Sequence, residues 1–192
     1  MARNENETFQ FENKRMKKRI LRPLVATGFL VLLAVVFSGC TFCKAGKPGP
    51  FKAYTVEVAL DDSLKTSSVI VDLVGVNKAG LARWEAYDMA KYWKEGDPMR
   101  NDARKTVLNF VSGQSLSQKL DATDPLWQEW KKQGVTHVLV LADLPGSHVS
   151  KPGNQDARRQ ILPVDKCSWP GGTKVLNVQV QRSGIVVLTP SR

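Results

Sequence analysis

The sequence is poor in the residues that usually carry chemistry. It has two histidines, His137 and His148, and three cysteines. No zinc-ligand spacing, G-x-S-x-G elbow or phosphate-binding glycine loop occurs in it, which removes the zinc enzymes, α/β-hydrolases and P-loop nucleotidases recognisable by motif. It has no internal repeat and no low-complexity run, so a solenoid or extended array is excluded. No apolar run reaches the ~20 residues a helix needs to cross a bilayer core. The longest, Leu24 to Phe37, falls short of that length.

That short run sits in an informative setting. Met16-Lys17-Lys18-Arg19 precedes it and Ser38-Gly39-Cys40 follows it. A basic stretch, an apolar stretch and small residues are the three parts of a secretory signal. Met16 as the start gives a signal of ordinary length, whereas Met1 adds a polar extension. An uncleaved signal-anchor helix is the alternative. Phe37-Ser38-Gly39-Cys40 resembles the lipobox of bacterial lipoproteins. That resemblance implies cleavage before Cys40, a covalent lipid on its sulfur and no other cofactor. It also implies a membrane contact through the lipid, since several acyl chains hold a protein stably where one does not. Thr41 stands where an aspartate would retain the protein in the inner membrane, so the expected location is the periplasmic face of the outer membrane.

The address changes the reading of charge and cysteine. The chain is formally +10, but residues 1–39 hold seven Lys/Arg and three Asp/Glu, so +6 stays with residues 40–192. In the periplasm this excess reads as a solvated basic surface, not as a nucleic-acid interface. Cys43 and Cys167 remain, as a possible disulfide or as two thiols. A loop that long allows about 4–5 kcal/mol if they pair. Residues 41–52 carry Gly46, Pro48, Gly49 and Pro50 among lysines and read as a flexible tether, leaving 53–192 as one domain.

Strands are expected at 54–60, 68–76, 106–111, 135–141, 159–164, 175–182 and 185–188. Tyr54, Val56, Val58 and Leu60 alternate onto one face. Val135 to Leu141 is the expected buried centre, and Pro163 marks an edge strand. Thr123-Asp124-Pro125 opens a helix with Leu126, Trp127 and Trp130 on its apolar side. A second helix over 81–93 would carry a stripe of Ala82, Ala86, Met89 and Trp93. About seven strands with turn-rich links predict a mainly β protein, a β-sandwich with one or two inserted helices. A βαβ arrangement is the alternative.

Candidate sites are sparse. Asp143, His148 and Asp156 are the members a hydrolytic site would use, but the expectation is a non-enzyme. Trp84, Tyr87 and Trp93, with Tyr92, gather aromatics that stack sugars, form a protein hot spot, or simply pack a core. Arg158 and Arg159 either dock an acidic partner or lie solvated, with Asp156 pairing across a loop. The order of parts, together with Val138-Leu139-Val140-Leu141-Ala142-Asp143, Arg158-Arg159 and Ile161-Leu162-Pro163-Val164, resembles the type VI secretion lipoprotein of TssJ type. The resemblance implies a sandwich anchored in the outer membrane that holds another envelope protein. It implies partner contacts in the loop after the first strand, here Asp61, Asp62, Leu64 and Lys65.

Overall fold

The computed structural model describes Cys43 and residues 49–192. The signal segment, Cys40 and the rest of the tether lie outside the described residues. The compact unit Gly46–Arg192 carries the fold that follows. No described helix is long and apolar enough to cross a membrane.

Eight strands are described: β1 Thr55–Leu60, β2 Val69–Asn77, β3 Lys105–Phe110, β4 Ser117–Leu120, β5 Val135–Ala142, β6 Arg159–Pro163, β7 Val175–Gln181 and β8 Gly184–Val187. They form two four-stranded sheets in the orders β4-β1-β7-β8 and β3-β2-β5-β6. The fold is a β-sandwich. β1 and β7 run parallel; every other described pair is antiparallel. The βαβ alternative fails because β5 runs antiparallel to both neighbours.

Alternation decides what lies between the sheets. Tyr54, Val56, Val58 and Leu60 of the β1 segment meet Val71, Leu73, Val138 and Val140 in one buried core. The other face of β1, with Thr55, Glu57 and Ala59, stays partly exposed. β2 and β5 differ, because both of their faces are covered. Val74, Val76, Leu139 and Leu141 point away from the sandwich interior into a second apolar cluster under the helices. This explains the unbroken apolar run Val138 to Ala142, where alternation would have left one face polar.

The helix Leu126–Lys132 (α4 in chain order) follows the Thr123-Asp124-Pro125 signal, with Asp124 Oδ1 accepting from the Leu126 N–H at 2.8 Å. Trp127 and Trp130 are buried and pack edge to face, 5.0 Å apart. Trp130 lies over Gly75: a Cβ there would stand 2.5 Å from the indole nitrogen, so only glycine fits this point of β2.

Three predicted features are corrected. The helix expected over 81–93 is two helices, α1 Lys78–Ala86 and α2 Met89–Tyr92. Asn77 caps the first through the Gly80 N–H at 2.9 Å, and Asp88 caps the second through Ala90 at 2.8 Å. The break at Asp88 rotates the stripe, so Ala82 and Ala86 are exposed while Trp84, Met89 and Tyr92 are buried. A third helix, α3 Pro98–Asn101, starts from Asp97 with proline in its first turn. β4 is an additional strand, polar except for buried Leu120.

Residues 49–52, read as part of the tether, are fixed to the sandwich. The Gly49 N–H donates to Asp165 Oδ1 at 3.0 Å, Phe51 bridges Asp165, and the Lys52 N–H donates to the Val164 carbonyl at 2.8 Å. Burial alone would raise the Asp165 carboxyl. Hydrogen bonds from Ser168, Gly49 and Cys167 overcome this and hold it below the usual carboxylate range. Both Cys43 and Cys167 are disulfide-bonded. Gly49 passes so close to Cys167 that a Cβ would sit 2.5 Å from the sulfur.

Candidate functional site

The helices between β2 and β3 bring together most of the residues singled out above. Their anchor is Asp72, an outward-facing position of β2 that is fully buried beneath the helices. Its Oδ2 accepts from the Tyr92 hydroxyl and from Arg100 Nε, each at 2.9 Å, while Oδ1 has no partner among the described residues. Burial first, and the Asp72 charge second, push the Tyr92 phenol far up. Burial would lower Arg100, but Asp72 reverses this and the net direction is upward. The Arg100 guanidinium also stacks over Trp93 at 4.5 Å. Asp97 ties α3 to α1: Tyr87 donates to its Oδ2 at 2.7 Å, and the Arg100 N–H to its Oδ1 at 3.0 Å. That hydrogen bond pushes the Tyr87 phenol up to about 12.

The arginine pair is not a docking surface. Arg159 is fully buried. Its Nη1 donates to the Trp84 and Tyr87 carbonyls at 2.8 and 3.0 Å, its Nε to Gly153 at 2.8 Å and its Nη2 to Lys151 at 2.5 Å. The carbonyls at the end of α1 are poorly satisfied within the helix, Trp84 accepting only a long 3.4 Å bond from the capping Tyr87 N–H, and a guanidinium with five donors suits them and the loop 151–153 together. Burial pulls Arg159 downward from its ordinary value. Arg158 does pair with Asp156, as expected, but the pair is buried, not solvated, with side-chain exposures of 8% and 0%. Asp156 accepts Arg158 Nε and Nη2, both at 3.1 Å, and the Lys151 N–H at 3.0 Å. Burial raises its carboxyl, the bonds from Arg158 lower it, and the net direction is downward.

The hydrolytic trio does not assemble. Both oxygens of Asp156 are committed to Arg158 and Lys151. His148 is half-buried, and its Nε2 bonds to neither Asp143 nor Asp156. Asp143 caps the end of β5, where burial pushes its carboxyl up. His137 shares a hydrogen bond with Thr136 at 2.9 Å. Among the described residues no three His, Cys, Asp or Glu side chains group as metal ligands.

The aromatic candidates divide. Trp84 and Tyr92 are buried, 5.9 Å apart and edge to face; Tyr87 and Trp93 are half-exposed. In the first loop, Leu64 is buried in the inter-sheet core and unavailable to a partner. Asp61 caps the turn Asp62–Leu64 through the Ser63 N–H at 3.0 Å, a bond that lowers its carboxyl. Asp62 and Lys65 remain exposed. This loop follows Leu60, while Gly49 and Asp165 lie beyond the Thr55 end. The fixed lead-in and the loop therefore occupy opposite ends of β1, about 20 Å apart.

Sequence reasoning missed Asp72, Asp97 and Arg100. A carboxylate inside the apolar run Val69 to Val76 was the available signal, since a charge there must find a partner or stay uncharged.

No family model and no curated protein matches the sequence. Among solved structures, the chain is similar to the T6SS lipoprotein TssJ1 from Pseudomonas aeruginosa, with a TM-score of 0.44 and 13% identity over 73% of this chain and 98% of that one. It is similar also to Lip of Serratia marcescens, a membrane-bound component of the type VI secretion system, with a TM-score of 0.44 and 8% identity over 71% and 96%. The C-terminal domain of the T6SS protein TssM from EAEC gives a TM-score of 0.44 and 13% identity over 70% and 99%. These are likenesses of chain path; they place no residue role on this chain.

Proposed function

We propose that the chain is a lipid-anchored protein on the periplasmic face of the outer membrane. Its role is to scaffold or tether an envelope complex, of the type VI secretion class, and not to catalyse a reaction. The observation that carries this reading is the separation of the two ends of β1. One end receives the chain only nine positions after Cys40, a reach of at most about 30 Å. The other end presents the loop with Asp62 and Lys65. A domain held close to the membrane at one end and free at the other suits a tether. The lipobox-like exit and the family resemblance of the sequence support the same reading, and Cys43 with Cys167 is the pairing proposed for the fixed lead-in.

Three measurements test it. Radioactive palmitate should label the protein in cells and leave the Cys40→Ser variant unlabelled; persistent label removes the anchor. Photo-crosslinkers placed at Asp62 and Lys65 should capture one envelope protein reproducibly. Capture of none, with the protein correctly anchored, removes the scaffold. Non-reducing peptide mapping should recover one cross-linked peptide joining Cys43 to Cys167. A wall-binding module using Trp84, Tyr87 and Trp93 is the weaker reading, because Trp84 and Tyr92 are buried in the insert and of these rings Tyr87 and Trp93 alone are half-exposed.

A further inference from the structure

A cleft of about 290 Å³ opens beside the helical insert, at the end of β2 that carries Gly75. Val74, Met99 and Trp84 form its apolar wall; Arg83, Arg104 and Asp102 line it with charge. Trp84 is 9% exposed, and its indole N–H makes no hydrogen bond among the described residues. The pyrrole edge of that ring borders the cleft at Gly80, whose Cβ position lies 3.9 Å from Trp84 Cδ1. Arg83 and Arg104 make no ion pair there either, and their side chains donate no described hydrogen bond. Arg83 belongs to the last turn of α1, but Arg159 already satisfies the carbonyls of Trp84 and Tyr87. With Gln133, which also lines it, four donor side chains, two of them cationic, thus surround an apolar hollow against the single carboxylate of Asp102.

From this we infer that the cleft takes a carboxylate side chain from an acidic, extended segment of a protein partner. Guanidinium groups recognise carboxylates by charge-assisted bonds that are stronger than neutral ones, and the apolar wall accommodates the methylenes of a glutamate or a neighbouring aliphatic residue. A peptide suits the surroundings better than a free acid. β3 is an edge strand that starts at Lys105, immediately after Arg104. Gly75 donates to the Arg104 carbonyl, so alternation turns the backbone groups of Lys105 and Val107 outward, away from β2. An added strand along that edge gains main-chain bonds while its acidic side chain enters the cleft. Val107, 40% exposed, offers it an apolar contact. The site lies at the end of the sandwich opposite the Asp61–Ser67 loop, so it is a second contact and stands independently of lipid on Cys40.

The test uses the full-length protein in detergent micelles, with nitrogen-labelled tryptophan and the Trp84 indole resonance assigned by Trp84→Phe. The probe is a capped hexapeptide alternating valine with glutamate, set against its glutamine counterpart. The glutamate peptide should shift the Trp84 resonance, and Arg83→Gln with Arg104→Gln should weaken that binding about tenfold or more. An equal shift by the glutamine peptide overturns the inference. So does unchanged affinity in the double variant, or no shift at about 1 mM peptide. A shift produced by phosphatidylglycerol nanodiscs and not by the peptide assigns the cleft to lipid headgroups and also overturns it. Where the peptide result overturns this inference but crosslinks from Asp62 and Lys65 persist, the scaffold reading stands.

Discussion

The molecule has two apolar cores built on different terms. Between the sheets, aliphatic residues meet the rings of Tyr54, Phe110, Trp127, Trp130 and Trp169. Outside the β3-β2-β5-β6 sheet, a smaller cluster of Val74, Val76, Trp84, Met89, Tyr92, Met99, Leu139 and Leu141 is bordered by the buried charges of Asp72, Asp97, Asp156, Arg158 and Arg159. The first core follows mainly from strand alternation, is closed by Leu64, Trp127, Trp130 and Trp169 from outside the strands, and rests chiefly on apolar contact, which is non-directional. The second joins three short helices of nine, four and four residues to a sheet. Helices that short are not stable by themselves. Each is capped by its own Asn or Asp and held by a charged residue from a distant strand. Directional bonds to charge therefore fix the position of an insert whose apolar area is small. The cost is sensitivity, because a buried charge that loses its partner destabilises by more than the pair contributed.

Substitutions can break that contrast. The largest effect is expected at Trp130, where Trp130→Ala empties the inter-sheet core above Gly75 and costs about 3–5 kcal/mol. Denaturant unfolding should show one cooperative loss of the whole sandwich. Arg159→Met removes a buried donor from four carbonyls, leaving Trp84 and Gly153 only their long backbone bonds of 3.4 Å, and costs about 3 kcal/mol. Here hydrogen exchange should find protection lost over residues 78–104 while β1 and β7 keep theirs; a uniform loss would show that the two cores are one cooperative unit. Acid separates them next. The folded Asp156 carboxyl lies below its ordinary value, so its contribution is complete above about pH 4 and disappears as pH falls through the folded pKa. The insert should loosen on acidification before the inter-sheet core does, and Asp156→Asn should flatten that dependence. Asp143, whose carboxyl is pushed up, acts in the opposite sense, because its protonation favours the folded state. The smallest effect is Tyr87→Phe, which removes one hydrogen bond to Asp97 and costs about 1 kcal/mol, measurable as a shift in the unfolding midpoint.

The same division separates what could be read in the residues from what could not. Alternation in Tyr54 to Leu60 and Leu176 to Val180, the polar-then-proline opening of α4 and the edge position of Pro163 are local patterns, and the structure follows each of them. β4 escaped because a polar edge strand with one buried leucine has no periodic signature. α3 carries in Asp97-Pro98 the same opening as α4, but its four residues bury only Met99 and are too few to show an apolar stripe. The site was the least legible part. Arg158 and Arg159 look solvated in any local window, since the carbonyls and carboxylate that hold them come from Trp84, Tyr87, Gly153 and Asp156. The cleft around Trp84 needs α1, the segment before β3 and the end of α4 to meet, a coincidence that no single stretch of chain contains.

The fixed lead-in at Gly49 to Lys52 has a mechanical consequence. It delivers any pull from the N-terminal side to the start of β1, and the same end holds the last residue, where the Arg192 N–H bonds to the Ser168 carbonyl. A load applied at the Asp61–Ser67 loop and resisted at Gly49 runs along the axis of β1. The ladders of β1 with β7 and β4 then bear it in shear, with many bonds strained together, whereas a sideways load would peel them open one at a time. Survival under tension is a matter of unfolding rate, not of equilibrium stability. A domain built in this way resists stretching along its length while remaining soft to forces across it.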